Sequence, residues 1–132
     1  MIVAVAVVTD STAYFPAGLA ARRGIHQVPL HVLVDGRHWL DGVQLGPAEL
    51  VEALARRASV STSRATPGEF EAVYSKAIRA GADTIVSVHL SRALSGTWDS
   101  AKLGAAIGAH AGPGMLGVVV LPEGINERLA AT

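Results

Sequence analysis

The stretch DTIVSVHLSRALSGTWDSA, Asp83 to Ala101, decides the fold. Its first eight residues, rich in β-branched Thr84, Ile85, Val86 and Val88 and bounded by Gly81 and a run of hydroxyl residues, read as a strand. Ser91 to Thr97 reads as a hydroxyl-rich turn, and a helix runs from there to about Ala109. Strand, turn and helix in that order form half of a βαβ unit. An earlier stretch, SVSTSRATPGEF (Ser59 to Phe70), also sets a hydroxyl-rich turn before a helical pattern. There Thr66 is the N-cap, Pro67 the first helical residue and Glu69 the capping-box partner. Phe70, Val73, Tyr74, Ala77 and Ile78 then follow at helical spacing. Helix capping accounts for one hydroxyl per turn, not for five Ser or Thr residues in twelve.

The rest of the chain extends the pattern. Ile2 to Val8 is a continuous apolar run, as in a strand covered on both faces. Asp10, Ser11 and Thr12 follow it, and Pro16 opens a short helix that Gly24 ends. Ile25 to Val34 reads as one strand in which Pro29 marks an edge or a bulge. Asp35-Gly36 is a hairpin signal, so Arg37 to Leu40 returns as a small ribbon. Pro47 starts a helix to about Arg57 with Leu50, Val51, Leu54 and Ala55 on one face. Gly112-Pro113-Gly114 breaks the chain before a last strand, Leu116 to Leu121. Strands alternating with helices predict an α/β fold with a mainly parallel sheet and helices on both faces. In such sheets ligands gather at the carboxyl ends of the strands. The two hydroxyl turns and Asp10-Ser11-Thr12 all follow strands or extended segments, so one rim is expected to hold all three.

Composition bounds the function. The chain has 132 residues, half of them hydrophobic, with 11 Lys plus Arg against 11 Asp plus Glu. A neutral balance argues against a nucleic-acid surface. The absence of cysteine excludes disulfides and thiolate metal sites. The apolar start, MIVAVAVVTDST, lacks a basic flank and is too short to span a bilayer. A soluble, cytoplasmic protein is expected.

Helix N-termini carry unpaired N–H groups and partial positive charge, and adjacent hydroxyls complete an anion site. Ser95-Gly96-Thr97 is the sharper cluster, because Gly96 admits a ligand close to the backbone. Ordinary capping is the competing explanation, favoured for one cluster and equal in weight for two. Other motifs carry less. GPGMLG (Gly112 to Gly117) matches GxGxxG but precedes a strand instead of opening a helix. There is no P-loop, and Ser95 is not in a GxSxG elbow. A Ser95–His89–Asp99 hydrolase is conceivable but disfavoured. His26, His31, His38, His89 and His110 lack metal-site spacing, so no metal is expected. Arg22-Arg23 and Arg56-Arg57 end helices, where they complement the dipole. Trp39 suits core or interface equally.

Four pieces together resemble the DegV family, whose fatty-acid-binding members are called FakB. They are VTDSTA (Val8 to Ala13), VPLHVLVDGRHWLDGV (Val28 to Val43), TSRATPGEF (Thr62 to Phe70) and SVHLSRALSGTWDSA (Ser87 to Ala101). They occur in the family's order and spacing and cover roughly the first hundred residues. The resemblance implies a non-enzymatic, cofactor-free protein that binds one long-chain fatty acid. Such a protein presents the carboxylate to a separate kinase related to dihydroxyacetone kinases. It further implies that Thr62 and Ser95 hold the carboxylate, with Ser63, Arg64, Gly96, Thr97, Asp10 and Ser11 supporting. Arg64 and Ala65 stand where the family usually has Gln and Pro. Family members are about twice as long, with a second domain closing over the ligand. The chain is therefore read as a single family-like N-terminal domain over 1–132, divergent over 112–132, with a homo-oligomer as one way to cover the exposed groove. Two alternatives remain at this point: a small phosphotransferase or hydrolase using the Ser95-Gly96-Thr97 rim, and a truncated, non-binding remnant.

Overall fold

The computed structural model describes residues 4–89, 96, 97, 99–102 and 104, and the backbone of 115–120. The elements are β1 (Val5–Asp10), α1 (Leu19–Arg22), β2 (Ile25–Val28), β3 (His31–Val34), β4 (Arg37–Leu40), α2 (Pro47–Ala55), β5 (Val60–Ser63), α3 (Pro67–Arg79), β6 (Thr84–His89) and β7 (Met115–Val120). Strands β2-β1-β6-β7 make a parallel sheet, and β4-β3-β5 make an antiparallel one. The expected α/β architecture with a mainly parallel sheet is what forms.

Burial alternates along β6, where Ile85, Ser87 and His89 are buried; in β1 Ala6 and Val8 are buried and the strand ends in buried Thr9 and Asp10. That face packs on α3 through Phe70, Tyr74 and Ala77. The apolar spacing read in α3 is thus its packing face. Its cap is also as read: Thr66 Oγ1 accepts from Glu69 N, while Glu69 Oε2 accepts from Thr66 N at 2.7 Å. Helical backbone resumes at Thr97 and includes Asp99 to Lys102 and Gly104.

Three expectations change. Ile25 to Val34 is two strands in two sheets, not one. Pro29 has no N–H to give a ladder, and the chain leaves the parallel sheet there. The Leu30 N–H instead donates to Ser11 Oγ at 3.0 Å. Second, the first hydroxyl cluster is not wholly a turn. Val60 to Ser63 pairs antiparallel with β3, setting Thr62 against Val32 and Ser63 against His31. Third, α2 buries Ala53 and half-buries Leu50 against Val32, Val34 and Leu45, while Val51 and Leu54 face outward at 65% and 56% exposure. The small antiparallel sheet is too narrow to cover the whole apolar arc. Asp35 and Gly36 both take positive φ, 49° and 78°, as a type I′ hairpin turn requires. Asp35 also receives Arg56 at 2.6 Å, so Arg56 is tied to the hairpin turn.

Candidate functional site: the rim at the strand ends

β1, β2 and β6 are parallel, so Asp10, Val28 and His89 end side by side. Thr9 Oγ1 donates to Val88 O at 2.8 Å and Ser11 N donates to Val28 O at 3.1 Å, pinning the three ends together. The antiparallel sheet brings β5 to the same region. Arg64, just after β5, donates from Nη1 to Gly96 O at 3.3 Å. This contact joins the segment after the first hydroxyl cluster to the helix start after the second. A Cβ on Gly96 would run into the Arg64 guanidinium, with Cδ and Cζ at 3.1 and 3.2 Å. Among the described residues Arg64 has no carboxylate partner, and it is exposed.

The other expected site residues divide by what they touch. Thr62 and Ser63 are exposed on β5. Gly96 is half-buried and Thr97 is buried at the helix start. Ser95 lies outside the described residues. Asp10 and Ser11 are buried and engaged internally, since Ser11 Oγ accepts from Leu30 N and both Asp10 carboxylate oxygens are bonded. A buried carboxylate would repel an anion, so Asp10 is suited to holding the turn and not to meeting an anionic group.

Under the rim runs a line of polar side chains that the sequence pattern does not assemble. Tyr74 OH lies 2.8 Å from Ser87 Oγ, Ser87 Oγ 2.6 Å from His89 Nε2, and His89 Nδ1 2.6 Å from Asp10 Oδ2. Thr12 gives both its N–H, at 2.9 Å, and its hydroxyl to Asp10 Oδ1. Burial alone would raise the Asp10 pKa. The bonds from His89 and Thr12 outweigh it and hold the carboxyl below its ordinary value. Burial pushes the Tyr74 hydroxyl up to about 12, against a smaller opposing effect of its bond to Ser87. The signal was in the strands: Ser87 and His89 alternate with valines, and Asp10 continues the alternation of β1. Polar residues at the core-facing positions of buried strands must find partners inside.

Asp10, His89 and Ser87 have the connectivity of a hydrolytic triad, yet Ser87 is fully buried and its hydroxyl is also held by Tyr74. No substrate reaches it. Both ring nitrogens of His89 are taken by Asp10 and Ser87, which leaves neither for the expected pairing with Ser95 and Asp99. Among the described residues no group of His, Asp and Glu is arranged for a metal ion, and no helix is long and apolar enough to cross a membrane.

Known proteins match this chain closely over the same region. The model of the DegV family, described as uncharacterised, matches residues 4–106. A DegV domain-containing protein of Streptomyces coelicolor is 46% identical over 101 residues, which is 76% of this chain and 36% of that protein. One of Deinococcus radiodurans is 44% identical over 102 residues, 76% of this chain and 36% of that protein. Among solved structures, a fatty-acid-binding DegV family protein of Thermus thermophilus superposes with a TM-score of 0.77 at 36% identity, covering 89% of this chain and 40% of its own. DegV of Bacillus subtilis, a fatty acid binding protein, superposes with a TM-score of 0.75 at 28% identity over 89% and 40%. The chain thus spans well under half the length of these relatives. This chain belongs to the DegV family, whose model matches residues 4–106, the span that holds β1 to β6, α3 and the rim.

Proposed function

We propose that this chain binds the carboxylate of a long-chain fatty acid at the rim, with Thr62 and Ser95 as the hydroxyl ligands. The observation that carries the reading is the Arg64–Gly96 contact, which draws the two hydroxyl-bearing segments together. Solved DegV relatives described as fatty acid binding support the ligand class. The head is held by hydroxyls and N–H groups, with the exposed guanidinium of Arg64 beside them. The tail contributes affinity by leaving water, at about 0.8 kcal/mol per methylene buried. The protein acts as a carrier, and a separate dihydroxyacetone-kinase-like enzyme phosphorylates the presented carboxylate. Ser63 and Thr97 support the clamp from β5 and the helix start. A hydrolytic reading gains nothing from the Asp10–His89–Ser87 line, because that serine is sealed.

The experiment is mass spectrometry of the purified chain, native and after solvent extraction, with binding of added oleate measured by calorimetry. A fatty acid in fixed ratio, lost in Thr62→Ala, is the expected result. Thr62→Ala and Ser95→Ala each cost about 1.5–3 kcal/mol of carboxylate binding, as for a hydrogen bond to a charged group, with the fold intact. Undiminished binding in both variants removes the clamp.

A further inference from the structure

The buried polar line has a direction that hydrogen-bond accounting assigns. Asp10 is held as an acceptor by Thr12 and His89, so His89 Nδ1 carries a proton. If Nε2 is bare, Ser87 donates to it and Tyr74 donates to Ser87, and every proton has an acceptor. If Nε2 were protonated, Ser87 Oγ would accept from it, and either the Ser87 or the Tyr74 hydroxyl proton would need an acceptor beyond this line. With a proton on Nδ1 and a bare Nε2, the line closes on its own members. Among the described residues no buried side-chain polar atom lacks a partner.

This line ends at the rim. Its last member, Asp10, holds the backbone and side chain of Thr12 in the turn that leaves β1. Ser11, between them, receives the first N–H after Pro29 and so ties that turn to the start of the antiparallel sheet. On its other side the His89 ring meets Phe70 edge-on, with centroids 5.1 Å apart and planes at 88°. Phe70 stands in the first turn of α3, four residues beyond Thr66 and directly downstream of the Thr62–Arg64 segment. One imidazole therefore touches both the Asp10–Thr12 turn and the helix that follows the first hydroxyl cluster.

We propose that His89 is a positioning residue for the anion rim: its Nδ1–H fixes the Asp10–Thr12 turn through Asp10 while its ring seats the first turn of α3 through Phe70, holding the two rim segments in one geometry. The role rests on the fatty-acid reading above, and it makes His89 neither a ligand of the carboxylate nor a base. Its chemistry lies in the Nδ1 donor. An asparagine side chain can place an N–H where Nδ1 stands, whereas a glutamine reaches toward the Nε2 position instead.

The test is oleate titration of the purified 132-residue chain and of His89→Asn, His89→Gln and Ile85→Ala, each with its melting temperature. Ile85→Ala opens the core at the far end of β6 and is the control for general destabilisation. His89→Gln is expected to lose roughly tenfold or more in affinity, the scale of a lost bond to a charged group. His89→Asn keeps most of the affinity, and Ile85→Ala lowers the melting temperature with affinity unchanged. In the unmutated chain, the His89 Nδ1–H proton resonance moves when oleate is added. This reading of the wild type stands even where a variant fails to fold. A resonance indifferent to bound oleate, or His89→Gln affinity equal to wild type, overturns the positioning role alone. Affinity losses that follow melting temperature alike in all three variants overturn it too. A wild-type chain that binds no oleate removes the fatty-acid reading and this role with it.

Discussion

Arg64 Nη1 donates to Gly96 O over 3.3 Å, and the guanidinium occupies the space into which a side chain at Gly96 would point. Two segments more than thirty residues apart thus meet through one long side chain laid across a glycine. The obstacle a Cβ meets there is the far end of a flexible side chain, which can swing away at little cost to the fold. Gly96→Ala is therefore expected to change stability by about 0.5 kcal/mol or less and to weaken oleate binding by displacing Arg64. In an Arg64→Ala background the same substitution loses most of its effect on binding. A double-mutant cycle by calorimetry measures the coupling, and additive effects would show that the two residues act independently.

Gly104 faces a different neighbour. A Cβ there would lie 2.6 Å from Pro67 O, 2.7 Å from Phe70 Cβ and 3.1 Å from Glu71 N. Two of those atoms are backbone, so the helix must move off the first turn of α3. Gly104→Ala is expected to destabilise by about 1–3 kcal/mol, the range for overpacking. Gly68, inside the first turn of α3, has no positive φ, and a Cβ there would meet nothing within 4 Å. Gly68→Ala is expected to stabilise by roughly 0.5–1 kcal/mol through lower unfolded-state entropy. Urea denaturation of both variants checks the opposite signs.

Stability should fall at both ends of the pH scale for identifiable reasons. The Asp10 carboxyl is held below its ordinary value of 3.8, so the folded state binds its proton less readily than the unfolded chain. Its stabilisation is present above that value and is lost as pH falls through the lower, folded value. Glu69 adds to the same acid limb: burial opposes ionisation, but the bonds from Thr66 and His31 outweigh it and lower its pKa. Tyr74 works in the other direction. Its pKa is raised from 10.0 to about 12, so stability is full below 10.0 and declines as pH rises towards 12. Thermal melts across pH should show Tyr74→Phe flattening the alkaline limb and Asp10→Asn flattening the acid one. An alkaline limb unchanged in Tyr74→Phe would assign it to other groups.

Much of the local structure was legible because it rests on short-range chemistry. The Thr66–Pro67–Glu69 cap, the Asp35-Gly36 turn and the packing face of α3 follow from side chains acting within a few residues of one another. The fate of Ile25 to Val34 did not follow from its own residues. Pro29 announced an interruption, but whether the chain bulged or left the sheet depended on a second sheet and on the Ser11 hydroxyl waiting for the Leu30 N–H. The α2 face departs from its apolar spacing for a related reason: spacing reports which residues are apolar, while the area of the partner sheet decides how many are covered.

At the rim, residue types alone singled out the hydroxyls, Gly96 and Arg64 as candidates in segments that end or follow strands. Amino-acid order also carried the membership of the DegV family, since four motif pieces keep their order and spacing. What only tertiary structure decided was direction and partnership. Parallel pairing of β1 with β6 set Asp10 beside His89, which are 79 positions apart in the chain, and turned both into the core. Antiparallel pairing of β5 with β3 put Thr62 in an exposed strand and sent Arg64 across to Gly96. Hydrogen bonds between distant strands leave no trace in local propensity, because each partner is an ordinary polar residue until the fold removes water from around it.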